Sequence, residues 1–209
     1  MSNSALTARS AFAATKAPGG SSVSLDVVDG LMIAHISALK GQSAAVLSKM
    51  REGYGLELPV TPAFTEARSL SALWAGPGQW LVIAPSEGRG DLEQELANGL
   101  AGLAAVTDQT DSRAIVRVSG PKAASVLATG LPIDLHPRAF GPNSVAITHA
   151  AHIGVIVWRG AAEQNFHVAC SRSFAGSFWD WLAHAAEGAA EGAAEGAAQS
   201  AAQGAKKGA

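Results

Sequence analysis

The clearest pattern of apolar and polar positions in the chain lies between Asp108 and Gly130, in DQTDSRAIVRVSGPKAASVLATG. Read at strand period, Ala114, Val116 and Val118 share one face, while Arg113, Ile115, Arg117 and Ser119 share the other. The first face is a core face; the second is polar and is expected to point at something wet or charged. Ser119-Gly120-Pro121 then forms a corner, and Pro121 suits the first turn of a helix, where its missing N–H has no partner to lose. Ala124, Val126, Leu127 and Leu131 give that helix a buried side, and Gly130 stops it.

Upstream, residues 23–28 and 31–37 read as strands, with Asp29-Gly30 as the hairpin turn between them. A helix is predicted over 42–53 with Ala44, Leu47, Met50 and Tyr54 along one side. Residues 56–66 carry two prolines and read as loop. Strands follow at 69–74 and 79–84 around the turn Ala75-Gly76-Pro77-Gly78. Asp91 caps a helix with Leu92, Leu96, Leu100 and Leu103 on one side, and 105–110 is a short strand. Downstream, 144–149 and 153–159 form a second hairpin and 164–171 another strand. A last helix begins near Ser173, with Phe174, Phe178, Trp181 and Leu182 in its stripe.

The pattern repeats. Asp29–Ser37 lies without gaps on Asp111–Ser119, placing Met32, Ala34 and Ile36 on Ala114, Val116 and Val118. The following helices both contain Val-Leu (Val46-Leu47, Val126-Leu127), and the hairpin 73–84 aligns with 147–158. These features predict an α+β fold of two tandem ferredoxin-like β-α-β-β-α units, each an antiparallel sheet with helices on one face. The units are read as 23–110 and 111–185. They are flanked by a flexible arm (1–22) and a disordered Ala/Glu/Gly-rich tail (186–209), where a glycine in every helical turn costs about 1 kcal/mol relative to alanine.

Composition narrows the function. Net charge is −2, charged residues are 15% of the chain, and no Lys/Arg cluster marks a nucleic-acid or anionic-membrane surface. No apolar run approaches the roughly 18 residues of a membrane span. Cys170 is the single cysteine and sits in an apolar strand, so it reads as a buried thiol in a reducing, cytoplasmic setting. The low charge beside 48% hydrophobic residues fits both an alanine-rich composition and a surface covered by other subunits.

No strong catalytic motif is present. Gly76-Pro77-Gly78 lacks the Lys-Ser/Thr of a phosphate loop, and His149 and His152 flank a hairpin tip without a third metal ligand nearby. Asp108, Asp111, Ser112 and Arg113 form the one dense polar cluster. It reads first as a turn whose carboxylates accept backbone N–H bonds, and second as a ligand or partner contact. Arg113 and Arg117 on one strand face suit carboxylates across a subunit boundary, with solvated arginines as the equal alternative. Among the five tryptophans, Trp179 is expected to face away from the core and to anchor an interface.

Taken in order, RSAF (Arg9–Phe12), LWAGPGQWLVIAP (Leu73–Pro85), Asp108–Pro137 and CSRSFAGSFWDWL (Cys170–Leu182) resemble the gamma subunit family of heterotetrameric bacterial sarcosine oxidase. That family is similar to a shortened aminomethyltransferase folate-binding fold. The resemblance implies a non-catalytic structural subunit assembled with alpha, beta and delta subunits. The complex oxidatively demethylates sarcosine to glycine, with tetrahydrofolate as one-carbon acceptor and oxygen giving hydrogen peroxide. It also implies that FAD, FMN, NAD, tetrahydrofolate and zinc belong to the partner subunits. No catalytic, cofactor-binding or metal-ligating residue is therefore assigned to this chain. The alternative is a stand-alone folate-binding or aminomethyltransferase-like one-carbon module.

Overall fold

The computed structural model describes residues 9–12, 22–160 and 164–189. The elements run β1 (Ser24–Val28), β2 (Leu31–Ala38), α1 (Ser43–Tyr54), β3 (Phe64–Ala67), β4 (Leu70–Gly76), β5 (Gln79–Pro85), α2 (Leu92–Gly99) and β6 (Ala104–Asp108). After a single 3-10 turn at Thr110–Ser112 come β7 (Arg113–Ser119), α3 (Ala123–Ala128), β8 (Val145–Ala150), β9 (Ile153–Arg159) and β10 (Asn165–Ser171). A second 3-10 turn, Arg172–Phe174, leads into α4, helical over 175–189. The α+β class with two antiparallel sheets is as expected.

One sheet has the order β3-β4-β5-β2-β6 and the other β8-β9-β10-β7-β1. The two orders correspond strand for strand, with β2 matching β7 as the internal repeat predicts. They also correct two expectations. Asp29-Gly30 closes no hairpin, because β1 pairs antiparallel with β7 and β2 with β5 and β6. Gly30 does take a left-handed φ of 71°, so the turn residue is used, but it carries the chain from one sheet to the other. The partner of the β4–β5 hairpin is likewise β9–β10, not the β8–β9 hairpin on which the sequence aligns it. Each unit is therefore β-α-β-β-β-α-β. The final strand is β6 in the first half, and β1, donated from the N-terminal side, in the second.

Three apolar layers result. Val46 and Met50 of α1 and Leu92 and Leu96 of α2 pack on Ala34, Ile36, Trp80 and Val82. The buried side of α1 is thus rotated from the predicted one, leaving Ala44 exposed. Val126 and Leu127 of α3 and Phe178, Trp179 and Leu182 of α4 pack on Val116, Val118, Val157 and Val168. The third layer holds only strand residues, among them Ile33, Leu81, Ile83, Ile115, Ile156 and Trp158, so the sheets pack face to face. Helices cover the outer face of each sheet.

This inner layer overturns the wet face expected for β7: Ile115 is buried between the sheets, and Arg113 and Arg117 flank it from a half-buried and an exposed position. The sheets also meet along their β3 and β8 ends, where Phe64 N donates to Asn143 O at 2.8 Å. The short strand β3, in a stretch read as loop, is what reaches this seam.

The arm and tail expectations are revised where the structure describes them. Phe12 is 4% exposed, packed in the α3/α4 core with its ring 5.4 Å from that of Trp179. Helix α4 runs past residue 185, burying Ala186. Residues 1–8, 13–21 and 190–209 lie outside the described residues.

Candidate functional site

The polar cluster read from the sequence is largely a turn. Asp108 Oδ1 accepts from Thr110 N at 3.0 Å, Thr110 Oγ1 accepts from Ile33 N at 3.0 Å, and Ser112 Oγ donates to Gln109 Oε1 at 2.7 Å. Its carboxylate and hydroxyls shape the backbone that enters β7.

Arg113, the last member, behaves differently. It sits at the junction of two clefts between the sheets, one of about 440 Å³ and one of about 520 Å³. The first is also lined by Arg9, Arg172, Asp29 and Asp111; the second by His35, Gln79, Gln109 and Ile147. Buried Arg113 Nε has no hydrogen-bond partner, and among the described residues its guanidinium forms no ion pair. Arg172 donates to the carbonyl of Arg9, and Asp29 accepts from the Ser10 hydroxyl at 3.1 Å, so the arm forms one wall.

Arg117, paired with Arg113 in the sequence reading, is separated from it by function. Its guanidinium bonds Asp26 Oδ2 on the neighbouring strand β1 at 3.0 Å, an exposed pair worth under about 1 kcal/mol. Arg113 and Arg172 come together in space although they lie on β7 and after β10. No spacing rule connects Arg9, Arg113 and Arg172, which is why Arg9 and Arg172 escaped notice.

The tryptophans are redistributed. Trp179 is 3% exposed, against the expectation of an outward anchor. Trp181, on the same helix, is half-buried and lines an open groove of about 690 Å³ between α3 and α4 with Lys122, Thr129 and His184. The cause is helix phase: Phe174 belongs to the preceding 3-10 turn and is 53% exposed, so the buried stripe runs Ala175, Phe178, Trp179, Leu182, Ala186.

His149 and His152 are both exposed at the β8–β9 tip, whose turn residues Ala151 and His152 have φ of 45° and 73°. Among the described residues no group of three or more His, Cys, Asp or Glu is placed to hold a metal ion. Cys170 is buried, and burial raises its thiol pKa to about 11. His167 stacks on Trp158 at 5.0 Å and 10°. Burial first, and then the Arg117 charge, lower its pKa to about 4. Arg159, 2% exposed, donates to Phe140 O at 2.7 Å and lies 5.4 Å over the Phe166 ring.

The family model described as "Sarcosine oxidase, gamma subunit family" matches residues 40–188. The chain belongs to that family. Gamma subunit relatives from Arthrobacter sp. and Corynebacterium sp. (strain P-1) are 36% and 35% identical over 151 residues, spanning 72% of this chain and 73% of each relative. Among solved structures, a chain of the heterotetrameric sarcosine oxidase from Corynebacterium sp. U-96, in complex with pyrrole 2-carboxylate, superposes with a TM-score of 0.73 at 29% identity. The match covers 85% of this chain and 94% of that one. The glycine cleavage system aminomethyltransferase T from Bartonella henselae is similar in fold, with a TM-score of 0.58 at 16% identity over 78% of this chain and 45% of that enzyme. This gamma-family chain thus shares the architecture of less than half of an aminomethyltransferase. Among its described residues no helix is long and apolar enough to cross a membrane.

Proposed function

We propose that this chain is the non-catalytic structural gamma subunit of a cytoplasmic heterotetrameric sarcosine oxidase, assembled with alpha, beta and delta subunits. In this reading the complex takes sarcosine, oxygen and tetrahydrofolate to glycine, hydrogen peroxide and methylenetetrahydrofolate. FAD, FMN, NAD, the folate site and zinc belong to the partner subunits, and this chain contributes no catalytic or cofactor-binding residue.

The observation that carries the proposal is the gamma-family match over residues 40–188, on a fold that covers 94% of a chain from a heterotetrameric sarcosine oxidase. Its chemistry is consistent with a scaffold. Arg113 faces the clefts without an ion pair in the described chain, while the one thiol and His167 are held neutral by burial.

The test is co-production of this chain with its proposed partners, followed by size-exclusion chromatography with absorbance read in the flavin band. Co-elution in a yellow complex is expected, together with loss of assembly or turnover when this chain is omitted. Three partner subunits that assemble and oxidise sarcosine normally without it would refute the proposal.

A further inference from the structure

We infer that the cleft at Arg113 receives a carboxylate from a partner subunit, with Arg113 as its principal guanidinium and Arg172 beside it. The inference deepens the subunit reading above and rests on it.

Three observations converge. Arg9, Arg113 and Arg172 line one cleft between the sheets, and among the described residues none of the three forms an ion pair. Three other arginines find acids, Arg51 with Glu57, Arg89 with Glu95 and Arg117 with Asp26, while buried Arg159 donates to the Phe140 carbonyl and Arg68 and Arg138 form no ion pair among the described residues. Arg113 is also fixed in place, starting β7 directly after the bonded Thr110–Ser112 turn, with Nε buried and unbonded. A half-buried guanidinium that lacks its partner carries an uncompensated desolvation cost, which a fork-to-fork carboxylate relieves.

The surroundings favour a protein as the source. Ile147, 52% exposed, lines the second cleft beside Arg113, and Phe174, 53% exposed, follows Arg172 by two residues. Arginine flanked by exposed aliphatic and aromatic side chains is the composition of an interface centre. Asp29 and Asp111 line the same cleft and select against a partner residue that is itself surrounded by further acids, so the geometry points to a single Asp, Glu or chain-terminal carboxylate.

The test uses zero-length cross-linking with a carbodiimide on the assembled complex, followed by mass spectrometry. Arginine does not couple, so Arg113→Lys places a reactive amine in the cleft; Arg117→Lys serves as the control and must couple to Asp26 of its own chain. The expected result is a new cross-link from position 113 to an acidic residue of a partner subunit, absent from the wild type. Arg113→Gln should weaken retention of this chain in the complex at least tenfold. Coupling from position 113 only to Asp29 or Asp111, or no coupling while the control couples, overturns the inference but leaves the subunit reading intact. Should Arg113→Lys fail to assemble, phenylglyoxal labelling of the wild-type complex decides. Protection of Arg113 and Arg172 relative to the salt-dissociated subunits supports the inference, and equal labelling overturns it. A wild type that forms no complex refutes the subunit reading itself.

Discussion

Gly120→Ala tests how the second sheet acquires its last strand. Gly120 turns the chain from β7 toward α3 with φ of +107°, a backbone conformation L residues rarely adopt. A Cβ there would lie 2.7 Å from the carbonyl oxygen of Ser22 and 3.3 Å from Val23 Cα. These atoms belong to the backbone entering β1, and Ser22 O is held by Lys122 N at 3.0 Å, so no side-chain rotation relieves the contact. The conformational cost is about 1–2 kcal/mol. The steric conflict adds about 1–2 kcal/mol more, for a total of about 2–4 kcal/mol. With a urea slope of about 2 kcal/mol per molar, the unfolding midpoint should fall by roughly 1–2 M. Gly41→Ala separates the two parts: Gly41 has φ of +80° but open space around it, so it reports the conformational cost alone. Hydrogen exchange should show the β1 amides of Ser24–Val28 opening first in the Gly120 variant. Equal midpoints for the two variants would refute the claim that the β7 corner clamps the exchanged strand.

Phe12 in the second core and His167 against Trp158 of the inner layer each supply a further outcome. Phe12→Ala should lower unfolding free energy by about 3 kcal/mol, because its ring fills the space against Trp179; a loss below about 1 kcal/mol in chemical denaturation would mean the arm docks outside the cooperative core. His167 has a folded pKa of about 4, below its usual 6.5, so the unfolded chain takes up a proton that the folded chain refuses. Its stability contribution is complete above about pH 6.5 and is lost as pH falls toward 4. At about 1.4 kcal/mol per pKa unit, reduced for the part of the ring that solvent still screens, the loss is about 1–2 kcal/mol. Urea midpoints measured between pH 4 and 7 should therefore slope more steeply for the wild type than for His167→Phe, and parallel profiles would rule this out.

How much of this was legible in the sequence depends on the range of the deciding contact. The Ala114, Val116 and Val118 core face of β7, the Asp91 cap and the bounds of β9 were readable because they are set within a few residues. Asp91 does accept from Gln94 N, at 3.0 Å. The Asp29-Gly30 misreading has the opposite origin. Its turn chemistry is real, but pairing is decided by β7, whose Ile115 to Ser119 lie opposite Val28 to Ser24 across about 90 residues of chain. Apolar alternation alone cannot say which strand a given strand will meet. Trp179 was misplaced because a 3-10 turn shifted the start of α4, and because Phe12, far away in sequence, covers the side of the helix that seemed free. The arginine cleft was invisible for a similar reason, since three segments must fold before Arg9, Arg113 and Arg172 become neighbours.

The donated strand bears on how the two sheets are held together. If each half kept its own strands, the sheets would be joined mainly by the inner apolar layer and the seam between Phe64 and Asn143. Because β1 precedes β2 directly and yet pairs with β7, the second sheet is completed by chain that leads into the first, and the second unit does not reach its full five strands alone. Separating the sheets then requires stripping β1 from β7, including Leu25 from the α3/α4 core and the Asp26–Arg117 pair. The arm strengthens the same closure, since Ser10 bonds Asp29 at the crossing and Phe12 enters the second core. The structural role proposed above needs the two halves held at one mutual orientation. In this chain β1, the Gly120 corner and the arm residues 9–12 supply that constraint, and the arm with residues 28–30 at the end of β1 also walls the cleft where Arg113 waits for its carboxylate.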